Sequence, residues 1–157
     1  MKKIIMFSLL ILLLLSPFYA QKKAYDFSLQ DLSGKAYRLS DYRGKIVIVN
    51  FFATWCRFCR MEIPELVAIA SEYKDKVQIF SISVDENPFD VLPKFIRDFK
   101  ISYPVLIASD DVISAYGGLT EGIPYTVLID GNGTIVNTYL GARKKEVFEN
   151  DIKRLLK

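Results

Sequence analysis

Lys45-Ile46-Val47-Ile48-Val49-Asn50-Phe51-Phe52-Ala53 runs directly into Thr54-Trp55-Cys56-Arg57-Phe58-Cys59. The first stretch is a nearly unbroken run of β-branched and aromatic residues, the pattern of a central strand buried on both faces. After the cysteines, Leu66, Ile69, Ala70 and Tyr73 recur at i, i+3, i+4, i+7, which predicts a helix with one apolar stripe. The two cysteines therefore fall where a buried strand ends and a helix begins.

That placement gives them chemistry. Two thiols three positions apart lie about one helical turn from each other and can form a disulfide. Cys56 falls at the helix N-terminus, where free N–H groups and the helix dipole favour an anion and lower a thiol pKa. Arg57 adds a positive charge beside it, and Phe58 fills the second position between the sulfurs. Cys59 lies one turn in and is shielded. The expected division of labour has Cys56 attacking a disulfide as thiolate and Cys59 resolving the mixed disulfide. A structural disulfide closing so short a loop would restrict the unfolded chain very little. A zinc site would need two further soft or imidazole ligands, and the chain has no other cysteine and no histidine. No metal and no cofactor are expected beyond the redox-active Cys56–Cys59 pair itself.

Outward from this junction the pattern alternates. Asp26 to Arg38 reads as a β-hairpin around Asp31-Leu32-Ser33-Gly34, and Val77 to Val84 as the next strand. Leu92, Phe95, Ile96 and Phe99 repeat helical spacing. Pro104 to Ile107 is a short strand and Asp111 to Tyr116 a short helix. Tyr125 to Ile129 and Thr134 to Leu140 are strands joined at Gly131-Asn132-Gly133. The last helix carries Phe148, Ile152, Leu155 and Leu156 on its apolar side. The sum is an α/β domain with a central mixed sheet and helices on both faces.

Of the 157 residues, the first 20 read as an address. Lys2 and Lys3 precede an apolar run from Ile4 to Leu15, and Ser16-Pro17 breaks it before Ala20. About 12 apolar residues are short for a membrane span. The segment is expected to be a secretory signal peptide cut after Ala20, with retention as an N-terminal anchor through residues 4–15 as the alternative. Either way the domain over residues 21–157 is expected outside the cytoplasm, in a periplasm or secreted. Without Lys2 and Lys3 the net charge of +3 falls to +1, so nucleic acid is not an expected partner. The absence of histidine excludes Ser-His-Asp and Cys-His hydrolases and His-ligated zinc. Proton transfer is left to carboxylates, lysine, tyrosine or the thiols.

Several stretches together resemble the thioredoxin-fold thiol–disulfide oxidoreductases, in their extracytoplasmic TlpA/ResA-like branch. They are Leu39-Ser40-Asp41-Tyr42-Arg43-Gly44-Lys45, Val49-Asn50-Phe51-Phe52-Ala53-Thr54-Trp55-Cys56, Cys59-Arg60-Met61-Glu62-Ile63-Pro64-Glu65-Leu66 and Gly122-Ile123-Pro124-Tyr125-Thr126-Val127-Leu128-Ile129-Asp130. The resemblance implies a three-layer thioredoxin-like fold with an N-terminal β-hairpin extension. It casts Pro124 as the cis-proline beside the disulfide and the Ile123 backbone as a partner for an extended substrate; an ordinary strand-edge proline is the plainer reading. Trp55 matches the aromatic residue flanking the cysteines, with core filler as the alternative. Glu62 matches a carboxylate that takes the proton from Cys59, where other thioredoxins use an aspartate at the position of Asn50. A half-buried Glu62 would have a raised pKa; a solvated helix glutamate is the alternative.

Departures bear on specificity. Phe58 stands where the family usually has proline, Tyr125 where it usually has threonine, and the segment 117–122 is longer than usual. Trp55, Ile123, Pro124 and Tyr125 are thus candidate substrate-binding residues, and Arg57 and Phe58 candidate tuners of the redox potential. The expected activity is reduction of protein disulfides by a monomeric enzyme. Apocytochrome c is a family-typical substrate, and a membrane thiol–disulfide protein would supply electrons. The rivals are an oxidase or isomerase of the same fold, a peroxiredoxin-like peroxidase and a non-catalytic binding module. Against the peroxidase, Ala53 stands where a threonine is needed three residues before the cysteine.

Overall fold

The computed structural model describes residues 22–117 and 119–157. The signal segment expected over residues 1–20 lies outside the described residues. A five-stranded mixed sheet forms the centre, in the order β5-β4-β3-β6-β7. Its strands are β3 (Ile46–Phe52), β4 (Val77–Ser83), β5 (Val105–Ile107), β6 (Tyr125–Ile129) and β7 (Ile135–Leu140). The pairs β3/β4 and β4/β5 are parallel, while β3/β6 and β6/β7 are antiparallel. All seven residues of β3 are buried, as a run without polar alternation requires.

The helices are α1 (Arg57–Glu72), α2 (Pro88–Asp98), α3 (Asp110–Ala115) and α4 (Lys145–Leu155). No helix among the described residues is long and apolar enough to cross a membrane. On one face of the sheet, Ile46, Ile48 and Leu128 pack with Leu66 and Ile69 of α1 and Phe148 and Ile152 of α4. Towards the end of β3, Phe52 joins Cys59 and Ile63 of α1 and Leu92 and Phe95 of α2.

The opposite face buries Val47, Val49, Phe51, Phe80 and Val127. A two-stranded hairpin, β1 (Ser28–Gln30) and β2 (Ala36–Arg38), covers it with the 3-10 turn Leu39–Tyr42 and Val112 of α3. Phe80 is ringed edge-on by Phe27, Tyr37 and Tyr42, with centroids 5.8, 5.9 and 5.0 Å away. Helices do lie on both faces, but the hairpin does most of the covering on this one. Truncating Phe80 to alanine would remove about 4 kcal/mol of packing.

One expected core assignment differs. Leu155 and Leu156 are exposed, whereas Phe148 and Ile152 are fully buried. Leu155 is the last residue of α4 and Leu156 its C-cap, so the apolar pattern runs on past the part of the helix that meets the sheet.

Candidate active site

The site lies at the pole where β3 ends and β6 begins. Cys56 is the N-cap of α1, and its Sγ accepts a hydrogen bond from the Cys59 N–H at 3.1 Å. That bond is one of the free donors of a helix N-terminus. Cys56 and Cys59 are joined by a disulfide with Cα atoms 5.2 Å apart. Cys59 is 1% exposed and Cys56 7%. Pro64 sits inside α1, where its missing N–H leaves the Arg60 carbonyl without its helical partner.

The Ile123–Pro124 peptide is cis, and the Ile123 carbonyl oxygen lies 3.6 Å from Cys56 Sγ. Gly141, at φ +79, donates its N–H to the Pro124 carbonyl at 2.8 Å. Around the sulfurs the surface is apolar. Trp55 is 72% exposed, so it is not core filler, and Phe58, between the two cysteines, is exposed too. Arg57 is exposed beside them. Tyr125 is half-buried, its ring 6.3 Å from that of Phe51.

Glu62 is only 1% exposed, more deeply buried than the half-buried carboxylate expected. Its Oε2 accepts from Asn50 Nδ2 at 2.9 Å and from Thr126 Oγ1 at 3.0 Å. Its Oε1 accepts from the Arg143 backbone N–H at 2.9 Å. Burial pushes the carboxyl up from 4.5 to about 7, and the Arg143 N–H, the Thr126 hydroxyl and the Arg143 charge only partly offset it. A carboxyl poised near neutrality can hold or release a proton there.

The two side-chain donors to Glu62, Asn50 and Thr126, come from one row of the sheet. Ser81, Asn50 and Thr126 are direct cross-strand neighbours on β4, β3 and β6. Asn50 also donates to Thr126 Oγ1 at 2.9 Å, and its Oδ1 accepts from Ser81 Oγ at 3.2 Å. Ser81 Oγ lies 3.4 Å from the Tyr103 hydroxyl. A serine has one proton to give, so Tyr103 is the donor in that last contact. From the sequence, Asn50 stands out only as the residue where other thioredoxins have an aspartate, and Thr126, Ser81, Tyr103 and the Arg143 backbone go unassigned. A signal was present: each of three apolar strands carries a polar residue in its interior or at its second position. Beyond Glu62, Glu65 accepts from the Lys145 N–H at 3.0 Å, so two carboxylates of α1 hold the segment leading into α4.

A family profile described as AhpC/TSA matches residues 20–138. The chain belongs to the AhpC/TSA family. Within it, thiol-disulfide oxidoreductase ResA of Geobacillus thermodenitrificans is 36% identical, aligned over 99% of this chain and 95% of that protein. ResA of Geobacillus kaustophilus is 38% identical, over 84% of this chain and 75% of that one. Among solved structures, a thioredoxin-family thiol:disulfide interchange protein from Chlorobium tepidum is 32% identical. It superposes with a TM-score of 0.78, covering 87% of this chain and 97% of that one. This member of the family is a thiol-disulfide oxidoreductase of the ResA and thioredoxin type, with Cys56 and Cys59 as its CxxC pair.

Proposed function

We propose that this oxidoreductase reduces protein disulfides outside the cytoplasm by a dithiol mechanism. The observation that carries this reading is Glu62, a buried carboxyl with a pKa near 7, three residues beyond the shielded Cys59. The Cys56 thiolate attacks one sulfur of the substrate disulfide; a mixed disulfide forms and one substrate thiolate leaves. Glu62 takes the Cys59 proton, and the Cys59 thiolate attacks Cys56 Sγ. The second substrate thiolate then departs. Two electrons pass to the substrate, and the protein is left as the Cys56–Cys59 disulfide. No resident cofactor takes part. A membrane thiol–disulfide protein would return the two electrons.

The Ile123 carbonyl oxygen beside Cys56 Sγ supports an extended substrate chain lying against Ile123, with Trp55 and Tyr125 flanking it. Arg57 and Phe58, next to the sulfurs, would set the potential. The resemblance to ResA-type proteins and the basic-then-apolar start of the chain support action in a periplasm or beyond it, whether freed after Ala20 or held by residues 4–15. The same resemblance favours apocytochrome c cysteines among the substrates, and the enzyme is read as a monomer.

The test is turnover of a protein disulfide such as insulin. Cys59→Ser should accumulate a mixed disulfide at Cys56, and Cys56→Ser should form none. Glu62→Gln should form the mixed disulfide at the normal rate but resolve it about 100-fold or more slowly, the usual range for loss of a positioned acid–base group. Equal turnover of Glu62→Gln and wild type would remove Glu62 from the mechanism. A reduction potential of about −250 mV or lower fits a reductase; one of about −120 mV makes the protein an oxidant. Peroxide consumption faster than insulin reduction would favour the peroxiredoxin reading instead.

A further inference from the structure

Between the end of β3 and the N-cap of α1, one residue is held on every polar group it has. The Thr54 N–H donates to both carboxylate oxygens of Asp85, at 3.1 and 3.0 Å, and Thr54 Oγ1 donates to Asp85 Oδ1 at 2.8 Å. From the other side, Arg60 Nη1 donates to the Thr54 carbonyl at 3.1 Å. The Arg60 guanidinium is itself stacked over Phe99 and Phe95, at 5.0 and 5.5 Å. Asp85 is fixed in turn, because its Oδ2 accepts from Ser83 Oγ at 2.8 Å.

The neighbours of Thr54 have no such anchors. Trp55 is largely exposed. The Cys56 N–H reaches back to the Ala53 carbonyl at 3.2 Å, which closes the turn without fixing the peptide planes inside it. Once the Cys56–Cys59 disulfide is reduced, where Cys56 Sγ sits relative to the Cys59 N–H therefore depends on the turn that Thr54 anchors. A helix N-terminus stabilises a thiolate only over its first turn, so a small displacement of the sulfur forfeits the effect.

We infer that Asp85 is a positioning residue for the attacking thiol: through Thr54 it holds the Ala53–Cys56 turn so that Cys56 Sγ stays on the N-terminus of α1. It does so by geometry and not by charge. A carboxylate acting through its charge would oppose a nearby thiolate, whereas one acting as a clamp supports it. The inference rests on Cys56 as the nucleophile.

The test uses full-length protein in the Cys59→Ser background and reads the pH dependence of Cys56 alkylation by iodoacetamide, which needs no substrate. Asp85→Ala should raise the Cys56 pKa by about one unit and slow alkylation at neutral pH about 10-fold. Asp85→Asn keeps an acceptor for the Thr54 N–H, and the Ser83 hydroxyl can accept from its amide, so it should stay within about 3-fold of wild type. Thr54→Val removes only the Oγ1 bond without altering charge and should give an intermediate rise; it serves if Asp85→Ala does not fold. An unmoved Cys56 pKa in Thr54→Val overturns the clamp. So does a lowered pKa in Asp85→Asn, because that is the signature of charge. A Cys56 pKa that is already ordinary in the parent protein would instead overturn Cys56 as the activated thiol.

Discussion

The two faces of β4, β3 and β6 are built from the same strands, one residue apart, and they obey different rules. On the hairpin side the row Phe80–Val49–Val127 is wholly apolar, and all three are fully buried. On the α1 side the adjacent row is Ser81–Asn50–Thr126, equally buried and wholly polar. The next row on that side, Ile79–Ile48–Leu128, is apolar again. A single polar row inside a dry core is tolerated where every group in it is satisfied. Here no described buried side-chain nitrogen or oxygen lacks a partner. Asn50 and Thr126 both donate to Glu62, and Ser81 donates to Asn50, so the exception to ordinary packing marks the place where a carboxyl is held near neutral pKa.

Moving polarity to the wrong face should have the largest effect. Val49→Asn would place an amide against Phe80 and Val127, with no polar side chain in its row. The loss should be about 4 kcal/mol, from desolvation without a partner plus lost packing, read by urea unfolding. A loss under about 1 kcal/mol would mean the hairpin face can solvate a polar group and the contrast between faces is false.

Next comes the pH dependence set by Glu62. Its native pKa of about 7 lies above the ordinary 4.5, so the folded state keeps a proton that the unfolded state releases between those values. The stability that Glu62 contributes is therefore fully present below about pH 4.5 and is lost as pH rises towards and through 7. The difference is about 3 kcal/mol in order of magnitude. With no histidine in the chain and the cysteines oxidised, few other groups titrate in that window. Glu62→Gln should flatten the slope between pH 5 and 8. A slope that survives belongs to another group.

Asn50→Leu should come third, at about 2 kcal/mol near pH 8. It removes one donor from Glu62, takes the acceptor from Ser81, and converts the middle of the row to the rule of the other face. With one donor fewer, the Glu62 pKa should rise above its present value and carry the stability transition to higher pH. An unmoved transition would separate the row from the carboxyl.

The sequence made half of this contrast legible. Periodicity and a β-branched run located β3, and the strand-to-helix junction located the cysteines. The resemblance located Pro124 and Glu62. The rest depended on register. Asn50, Ser81 and Thr126 are far apart in the chain and become neighbours only once β3 pairs in parallel with β4 and antiparallel with β6. Hydrophobic periodicity carries no information about which residues of distant strands face each other. The Arg143 contribution is a backbone N–H, which any residue but proline could supply, and it arrives because Gly141 turns the chain at positive φ. Asp85 was hidden for a similar reason, since its partner Thr54 is 31 residues away.

The smallest effect is expected at the far end of the row. Tyr103→Phe removes one long contact to Ser81 and should lose no more than about 1 kcal/mol. It should also leave the Glu62 transition where it is. Between Tyr103 and Glu62 the path runs through the Asn50 carboxamide, which accepts on its oxygen and donates from its nitrogen. Losing a donor at Ser81 leaves both Asn50 N–H bonds in place. A Tyr103→Phe variant that moved the Glu62 transition as far as Asn50→Leu does would show the row acting as one coupled chain across the sheet. The boundary between the two regimes would then lie at β5, next to Tyr103, and not between the two faces of β3.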